Sequence, residues 1–489
     1  MSSSHSQRGA NEGNGLTYTS KETIPVIVST ARAMFASGAL KEVRQRKQVL
    51  QNLLVMMNKE EECFLKAITA DLGRNPEESK IVETTIVKNE LTFFLNHLNS
   101  LVKPTSLSGA HPLQDCKTFK EPKGVVLVIS PWNYPIQMVM MPLIGAIAAG
   151  NTVVVKLSEF APETARLFME MLPKYVPEGI VGFVYGAVEE ATALLKERFD
   201  HIFFTGGAPV GKVVMTAAAQ HLTPVTLGLG GKSPTVVDES CDGEMDTVAS
   251  RIAWGKFVNC GQTCVAPDYV LVHTSVKKRF VEAFEKARRS FFGVDGDVLA
   301  SPNYGRIVNQ QHWDRLNGLL DKGETVLLGG ERNRETLQFA TTVVENADIN
   351  GKLMTDEIFG PILPLVTYER LEEAIQFIQQ REKPLALYVF TKHDAVRKRF
   401  CTETSSGGLV FNDVMLHVGI TGLPFGGVGY SGLGNYHGAY SFDTFSHTKT
   451  VLNEGTSLEC FMKVRYPPYS EEKTKWFRFA MEKSRCCCM

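Results

Sequence analysis

Three short segments carry residues whose types and spacing could do chemistry. Phe257-Val258-Asn259-Cys260-Gly261-Gln262-Thr263-Cys264-Val265-Ala266-Pro267 sets two cysteines four apart among Gly, Gln and Thr. A free thiol titrates near 8.5 and attacks only as the thiolate, so it needs polar neighbours, close backbone N–H groups or a base. The pattern reads equally as a nucleophile at Cys264 or as a pair of small buried cysteines. Pro131-Trp132-Asn133-Tyr134-Pro135 directly follows an apolar run. Prolines on both sides stiffen that turn and aim Asn133 from a strand end, where its amide could donate to a developing oxyanion or only satisfy a turn. Phe203-Phe204-Thr205-Gly206-Gly207-Ala208-Pro209-Val210-Gly211 reads as a strand entering a helix through a Gly-rich turn. Gly206, Gly207 and Gly211 let a backbone approach a pyrophosphate at a helix N-terminus, although the spacing departs from the usual dinucleotide fingerprint and an ordinary βα turn has a similar composition. Lys156 and Glu159, closing an earlier apolar run, could hold a ribose or form a solvated pair.

These segments need strands and helices to position them. Between residues 22 and 100, apolar positions such as Val26, Met34, Leu50, Leu53, Met57, Phe64 and Ile68 recur at helical spacing, and Asp71-Leu72-Gly73 is a helix stop. From Gly124 the pattern changes to β-branched runs, Val125–Ile129, Thr152–Lys156, Gly179–Tyr185 and His201–Phe204, each followed by a helical stretch. Such alternation predicts parallel crossovers and an α/β, doubly wound, Rossmann-like sheet. A second α/β stretch follows Gly230, with strands expected at Thr235–Val237, Tyr269–Val272, Leu385–Phe390 and Gly408–Phe411, and one more apolar run at Thr450–Leu452.

Composition excludes several classes. At roughly 150 residues per domain, 489 residues correspond to about three domain-sized units. Hydrophobic residues at 44% and charged residues at 21% are globular values, against gross disorder or coiled coil. Fifty-two basic against 53 acidic residues give a net charge of −1, which supplies no attraction to nucleic acid. Ile136–Ala149, the longest apolar candidate for a membrane span, is too short and holds Pro142 and Gly145, so it reads as a buried helix. Met1–Ser20 has neither an apolar signal run nor a glycine at position 2, and an intracellular, cytoplasmic protein is expected. Ten cysteines without a Cys-x-x-Cys pair or a His-Glu-x-x-His run suggest no zinc site.

Taken in order, Pro-Trp-Asn-Tyr-Pro, Phe-Thr-Gly-Gly with Gly211, Leu229-Gly-Gly-Lys-Ser-Pro234, Gly-Gln-Thr-Cys, Glu357-Ile-Phe-Gly-Pro361 and Leu423-Pro-Phe-Gly-Gly427 resemble the aldehyde dehydrogenase superfamily from about residue 22 to 468. Arg381-Glu-Lys-Pro-Leu-Ala-Leu-Tyr388, Ser405-Ser-Gly-Gly408 and Val464-Arg-Tyr-Pro-Pro468 look like its class 3 branch, which includes fatty aldehyde dehydrogenases. The resemblance implies oxidation of medium- or long-chain aliphatic or aromatic aldehydes through a thiohemiacetal and a thioester on Cys264, with Asn133 and the Cys264 backbone N–H holding the oxyanion. By the same resemblance Lys156 and Glu159 contact the adenosine ribose, Gly206, Gly207 and Gly211 form the phosphate turn, and Glu357 and Phe359 hold the nicotinamide ribose and ring. A carboxylate at 159 suits a 2′-hydroxyl, so the cofactor expected is NAD, with NADP as the alternative. The resemblance also implies a homodimer and a division into a disordered 1–21, a cofactor domain 22–228 with 112–123 in a bridging element, a catalytic domain 229–435, a small β bridging and oligomerisation segment 436–468 and a basic tail 469–489.

One position departs from the family's pattern. Where the family reads Leu-Glu-Leu-Gly-Gly-Lys, this chain reads Leu227-Gly228-Leu229-Gly230-Gly231-Lys232. The family's glutamate is the general base for the deacylating water, and a missing base costs on the order of 10² to 10⁴ in rate. Three readings follow: Glu357 serves as base and hydrolysis is slow, the acyl group passes to an acceptor such as coenzyme A, or the chain is a weak, nucleotide-binding scaffold at a membrane surface. The end, Arg485-Cys486-Cys487-Cys488-Met489, fits a prenylation box at Cys486, with cysteines where aliphatic residues are usual. Lys473, Lys475, Arg478, Lys483 and Arg485 lie among Trp476, Phe477 and Phe479, so a peripheral membrane contact through a lipidated tail is expected, against the alternatives of palmitoylation or an unmodified end.

Overall fold

In the computed structural model the described residues are 16–107, 115–293, 298–320, 324–345, 347–453, 456 and 459–481. Helices Ile24–Ala36, Val43–Lys59, Glu61–Leu72 and Thr85–Leu101 carry the periodic apolar positions of the first hundred residues. The third ends at Gly73, whose φ of +65° is the left-handed turn that the helix stop requires. Between the third and fourth, Lys80–Thr84 forms a single π-turn.

Two parallel sheets organise the rest. In chain order the strands are β1 (Asp115–Pro122), β2 (Val125–Ile129), β3 (Thr152–Ser158), β4 (Val181–Gly186), β5 (His201–Gly206), β6 (Val225–Leu229), β7 (Pro234–Val237), β8 (Tyr269–His273), β9 (Thr325–Leu328), β10 (Thr342–Glu345), β11 (Ile362–Tyr368), β12 (Ala386–Phe390), β13 (Gly408–Phe411), β14 (Gly432–Leu433) and β15 (Ser446–Asn453). The first sheet runs β14-β6-β5-β2-β3-β4, parallel except for β14. Its order reverses between β2 and β5, which is where a doubly wound sheet opens a crevice at its carboxyl ends. Pro131–Pro135 and the Gly206–Gly207 turn lie at that reversal. The second sheet runs β9-β10-β11-β8-β7-β12-β13, parallel except at β9. Strands β2, β3 and β12 are buried along their whole length, as their continuous β-branched and apolar runs demand. Helix Gln137–Ala149 is buried all round, including Pro142, which explains its membrane-like composition.

Contacts cross the expected boundaries. Residues 1–15 lie outside the described residues, but 16–21 are held: Thr19 donates its N–H to the Tyr185 carbonyl at 2.8 Å and its Oγ1 accepts from the Tyr185 N–H at 3.0 Å. A division at 228 falls inside β6, and β14 returns from the second stretch to pair antiparallel with β6, Gly432 opposite Gly228. Residues 436–445 pack on the first sheet, with Tyr436 4.9 Å from Phe203 ring to ring and Ser441 against Gly145. Only β15 joins the small antiparallel sheet with β1 and Thr105–Ser106. Part of the tail also has structure: Glu471–Met481 is a helix. A backbone pairing partner far along the chain decides such boundaries, and local composition does not carry it.

Candidate active site

One cavity of about 680 Å³ brings the chemistry-bearing segments together. Asn133, Cys264, Glu357 and Phe359 line it beside Thr205, Gly206, Gly207, Gly228 and Gly230, and so do the apolar side chains Ile86, Met138, Trp254, Leu416 and Val418.

Asn133 is buried and fixed from three directions. Its side-chain amide donates to the Gln262 carbonyl at 3.0 Å, which leaves its second N–H for another acceptor. Its own carbonyl accepts from Asn259 Nδ2 at 2.9 Å and from Arg74 Nη1 at 3.3 Å. Arg74 is fully buried and paired with Glu83, and Glu83 Oε2 accepts the N–H groups of Ile136 at 2.8 Å and Gln137 at 2.9 Å. The π-turn that carries Glu83 therefore caps the helix that follows Asn133. Arg74, Glu83, Asn259 and Gln262 escape a sequence reading because nothing in their spacing announces contacts across such separations.

Cys264 stands at the end of a backbone coil. Asn259, Cys260 and Gly261 all have positive φ, at 49°, 52° and 71°. A Cβ on Gly261 would lie 2.4 Å from the Gly360 carbonyl, so only glycine lets this coil lie against the Glu357–Pro361 segment. Cys264 is half-buried in the cavity wall, whereas Cys260 is sealed in the core. The two cysteines thus separate by place, Cys260 in the core and Cys264 on the cavity. Burial first, and then the Glu357 charge, push the Cys264 thiol up to about 12, opposed by the backbone N–H groups of Cys264 and Val265. A thiol so raised holds its proton at neutral pH, and attack requires a base to take it.

Glu357 is a carboxyl on the same cavity, and its charge acts on the Cys264 thiol. A Cβ at Gly230 would come within 2.1 Å of Glu357 Oε2, so the carboxyl occupies space that only glycine leaves. Burial, then the Asp268 charge, raise it to about 8, against the Gly231 N–H, Lys232 and Arg315. Gly228 is half-buried on the same cavity; a Cβ there would meet Thr205 Oγ1 at 3.3 Å and nothing closer. A Cβ is accommodated at 228 if the Thr205 hydroxyl gives by a few tenths of an ångström.

Of the residues expected to hold a dinucleotide, Gly206, Gly207 and Phe359 line the same cavity, whereas Lys156, Glu159 and Gly211 do not. Lys156, in β3, pairs through Nζ with Oε2 of Glu159, the residue after the strand, at 2.9 Å. Gly207 caps helix Ala208–Ala219, and a Cβ on it would meet only Pro209 Cδ at 3.8 Å, so the approach to the helix N-terminus is open. Gly211 serves packing instead, because a Cβ would lie 2.6 Å from Leu229. Phe359, held at φ 47°, packs edge-on against Trp132 at 5.6 Å between ring centres. Cys486 lies outside the described residues. No helix among the described residues is long and apolar enough to cross a membrane.

A thiol sharing one cavity with a dinucleotide-type turn on a doubly wound sheet defines a class, the oxidoreductases that join covalent catalysis to hydride transfer. Comparison with known proteins narrows it. Residues 13–451 match the aldehyde dehydrogenase family. Aldehyde dehydrogenase family 3 member A2 of Mus musculus is 46% identical over 92% of this chain and 93% of its own. The dimeric NADP-preferring aldehyde dehydrogenase of Canis lupus familiaris is 44% identical over 92% and 99%. Among solved structures, Staphylococcus aureus AldH in a substrate-bound state superposes with a TM-score of 0.89 at 40% identity, covering 93% of this chain and 99% of that one. The betaine aldehyde dehydrogenase of Staphylococcus aureus with NAD+ gives 0.82 at 26% identity, covering 90% and 89%. This chain belongs to the aldehyde dehydrogenase family, in its class 3 branch, and is an oxidoreductase of aldehydes that uses NAD or NADP.

Proposed function

We propose that the chain oxidises medium- or long-chain aliphatic or aromatic aldehydes to carboxylic acids through Cys264, with slow release of the acyl group. The observation that carries this is the single cavity shared by Cys264, the Asn133 amide, Glu357 and an apolar wall. Cys264 attacks the aldehyde carbon as the thiolate, and the free Asn133 N–H and the Cys264 backbone N–H take the oxyanion. NAD(P), when bound, supplies the hydride acceptor; Lys156 and Glu159 suit its adenosine ribose, Gly206 and Gly207 its phosphates, and Phe359 its ring. The carboxylate at 159 favours NAD. The thioester left on Cys264 is then cleaved by water, with Glu357 as the base in place of the side chain that Gly228 lacks.

A pre-steady-state assay with a fatty aldehyde and NAD tests the reading. A burst of NADH equal to the active sites is expected, then a steady rate at least about tenfold slower than the burst, as a weak base implies. Glu357 accepts a proton only when ionised, so the steady rate climbs about tenfold per pH unit and levels above about 8. Glu357→Gln flattens that climb. A missing burst favours the nucleotide-binding scaffold instead. The absence of a carboxylate side chain at Gly228 supports a second reading, acyl transfer to a thiol such as coenzyme A, and product analysis with and without it separates the two.

The chain pairs as a homodimer on this reading, with the free edge of β15 in the small sheet as the contact. Peripheral membrane contact rests on the helix Glu471–Met481, where Trp476 is 62% and Phe479 81% exposed beside Lys475 and Arg478. One lipid binds marginally, and a basic, aromatic helix supplies the second attachment. Cys486→Ser is expected to move most of the protein from the membrane to the supernatant fraction of lysed cells; unchanged partition rules this anchor out.

A further inference from the structure

The coil that carries Cys264 is held by a carboxylate from outside it. Glu78 Oε1 accepts the backbone N–H of Asn259 at 2.8 Å, and Asn259 is where the chain turns left-handed, at φ 49°. A residue with a Cβ sits in that region at a cost, and stays there only where its surroundings hold it. Asn259 in turn ties the coil to the Asn133 turn. Its Nδ2 donates to the Asn133 carbonyl at 2.9 Å and to the Gln262 carbonyl at 3.2 Å. Its own carbonyl accepts the backbone N–H and Nε2 of Gln262, each at 3.0 Å. The Gln262 carbonyl also takes the Asn133 amide, and the Tyr134 and Thr263 hydroxyls lie 2.6 Å apart.

Glu78 belongs to the short helix Pro76–Ser79, which runs into the π-turn that bears Glu83. Just before it, Arg74 donates from Nε to Ser79 Oγ at 3.0 Å and from Nη1 to the Asn133 carbonyl. One short stretch of chain therefore holds both loops, the Asn133 turn through Arg74 and Glu83 and the Cys264 coil through Glu78. The turn follows β2 of the first sheet and the coil precedes β8 of the second. Their spacing is thus set across two sheets, by side-chain contacts such as these.

We propose that Glu78 is a positioning residue for the reaction: by holding Asn259 it sets the Cys264 sulfur and backbone N–H against the Asn133 amide. This rests on Asn133 and the Cys264 N–H taking the oxyanion. Glu78 does not line the cavity, so it acts through Asn259 and exchanges no proton with the substrate. Oxyanion donors work by being fixed before the charge develops, and a displacement of about 1 Å costs on the order of 10² in rate. Without the carboxylate the Asn259 N–H loses its acceptor. The coil then relaxes out of the left-handed region and takes the Asn259 side-chain ties with it.

The test is the NADH burst with a fatty aldehyde and NAD in the full chain. Glu78→Ala is expected to slow the burst by about ten- to a hundredfold. The amplitude stays at one per active site, and the aldehyde concentration giving half the maximal burst rate does not move. Glu78→Gln, whose amide oxygen accepts the same N–H, recovers most of the loss. If Glu78→Ala does not fold, Glu78→Asp takes its place, keeping the charge but withdrawing the acceptor by one methylene. Combined with Asn133→Ala, the Glu78 change slows the burst by clearly less than the product of the separate effects, because a donor that is gone cannot be misplaced. A residue that only stabilises the fold lowers the denaturation midpoint and leaves the burst rate of the folded protein alone. That result overturns the proposal, as do multiplying effects in the double variant or a Glu78→Gln as slow as Glu78→Ala. Should Asn133→Ala slow the burst while Glu78→Ala does not, the Glu78 assignment alone fails. Should Asn133→Ala keep the parent rate, the oxyanion reading itself fails.

Discussion

Gly228→Glu raises steady turnover by about 10²- to 10⁴-fold and leaves the NADH burst amplitude where it was, at one per active site. The strand β6 brings residue 228 to the cavity wall opposite Thr205, whose hydroxyl is the nearest atom to an added Cβ at 3.3 Å. That hydroxyl has to give by a few tenths of an ångström, which a rotatable side chain does easily. A carboxylate placed there gives the deacylating water a base with its own proton site, and the burst, which precedes water attack, is untouched. The added negative charge also pushes Glu357 further towards its protonated form, so the pH at which turnover levels falls towards that of the new glutamate. Stopped-flow NADH formation reads burst and steady phases in one trace. Unchanged turnover would show that water attack does not limit the reaction and that Gly228 marks no missing base.

Asn133→Ala has the second large effect, on the other phase. Losing one preorganised oxyanion donor typically lowers the rate about 10²- to 10³-fold, or about 2.7–4 kcal/mol of transition-state stabilisation. The same amide also holds the Gln262 carbonyl at 3.0 Å, and losing an ordinary internal hydrogen bond costs about 1 kcal/mol of folding stability. The two contributions are separable because they appear in different measurements. A burst slowed more than about a hundredfold, with a denaturation midpoint shifted by no more than that smaller figure, assigns the effect to the oxyanion. A burst that keeps its rate shows that the Cys264 backbone N–H suffices, and removes Asn133 from the chemistry.

How much of this was legible in the chain depends on the range of the interaction that decides each feature. The β-branched runs at Val125–Ile129 and Thr152–Lys156, the left-handed stop at Gly73 and the ordered motifs around Asn133, Gly206, Cys264 and Glu357 are local patterns, and the fold class and family follow from them. Cys260 and Cys264 are alike in the sequence, and only the coil at Asn259–Gly261, docked on Gly360, buries one and leaves the other at the cavity. The Arg74–Glu83 pair that steadies Asn133 joins residues from separate turns of the chain, and the burial of Lys256, whose Nζ has no hydrogen-bond partner among the described residues, is likewise set by packing. Periodicity and turn chemistry act over a few residues, so the order of letters determines elements and motifs. Burial of a charge, a proton's preferred site and the return of β14 to the first sheet depend on what the folded chain sets beside each group, and the tertiary structure alone decides them.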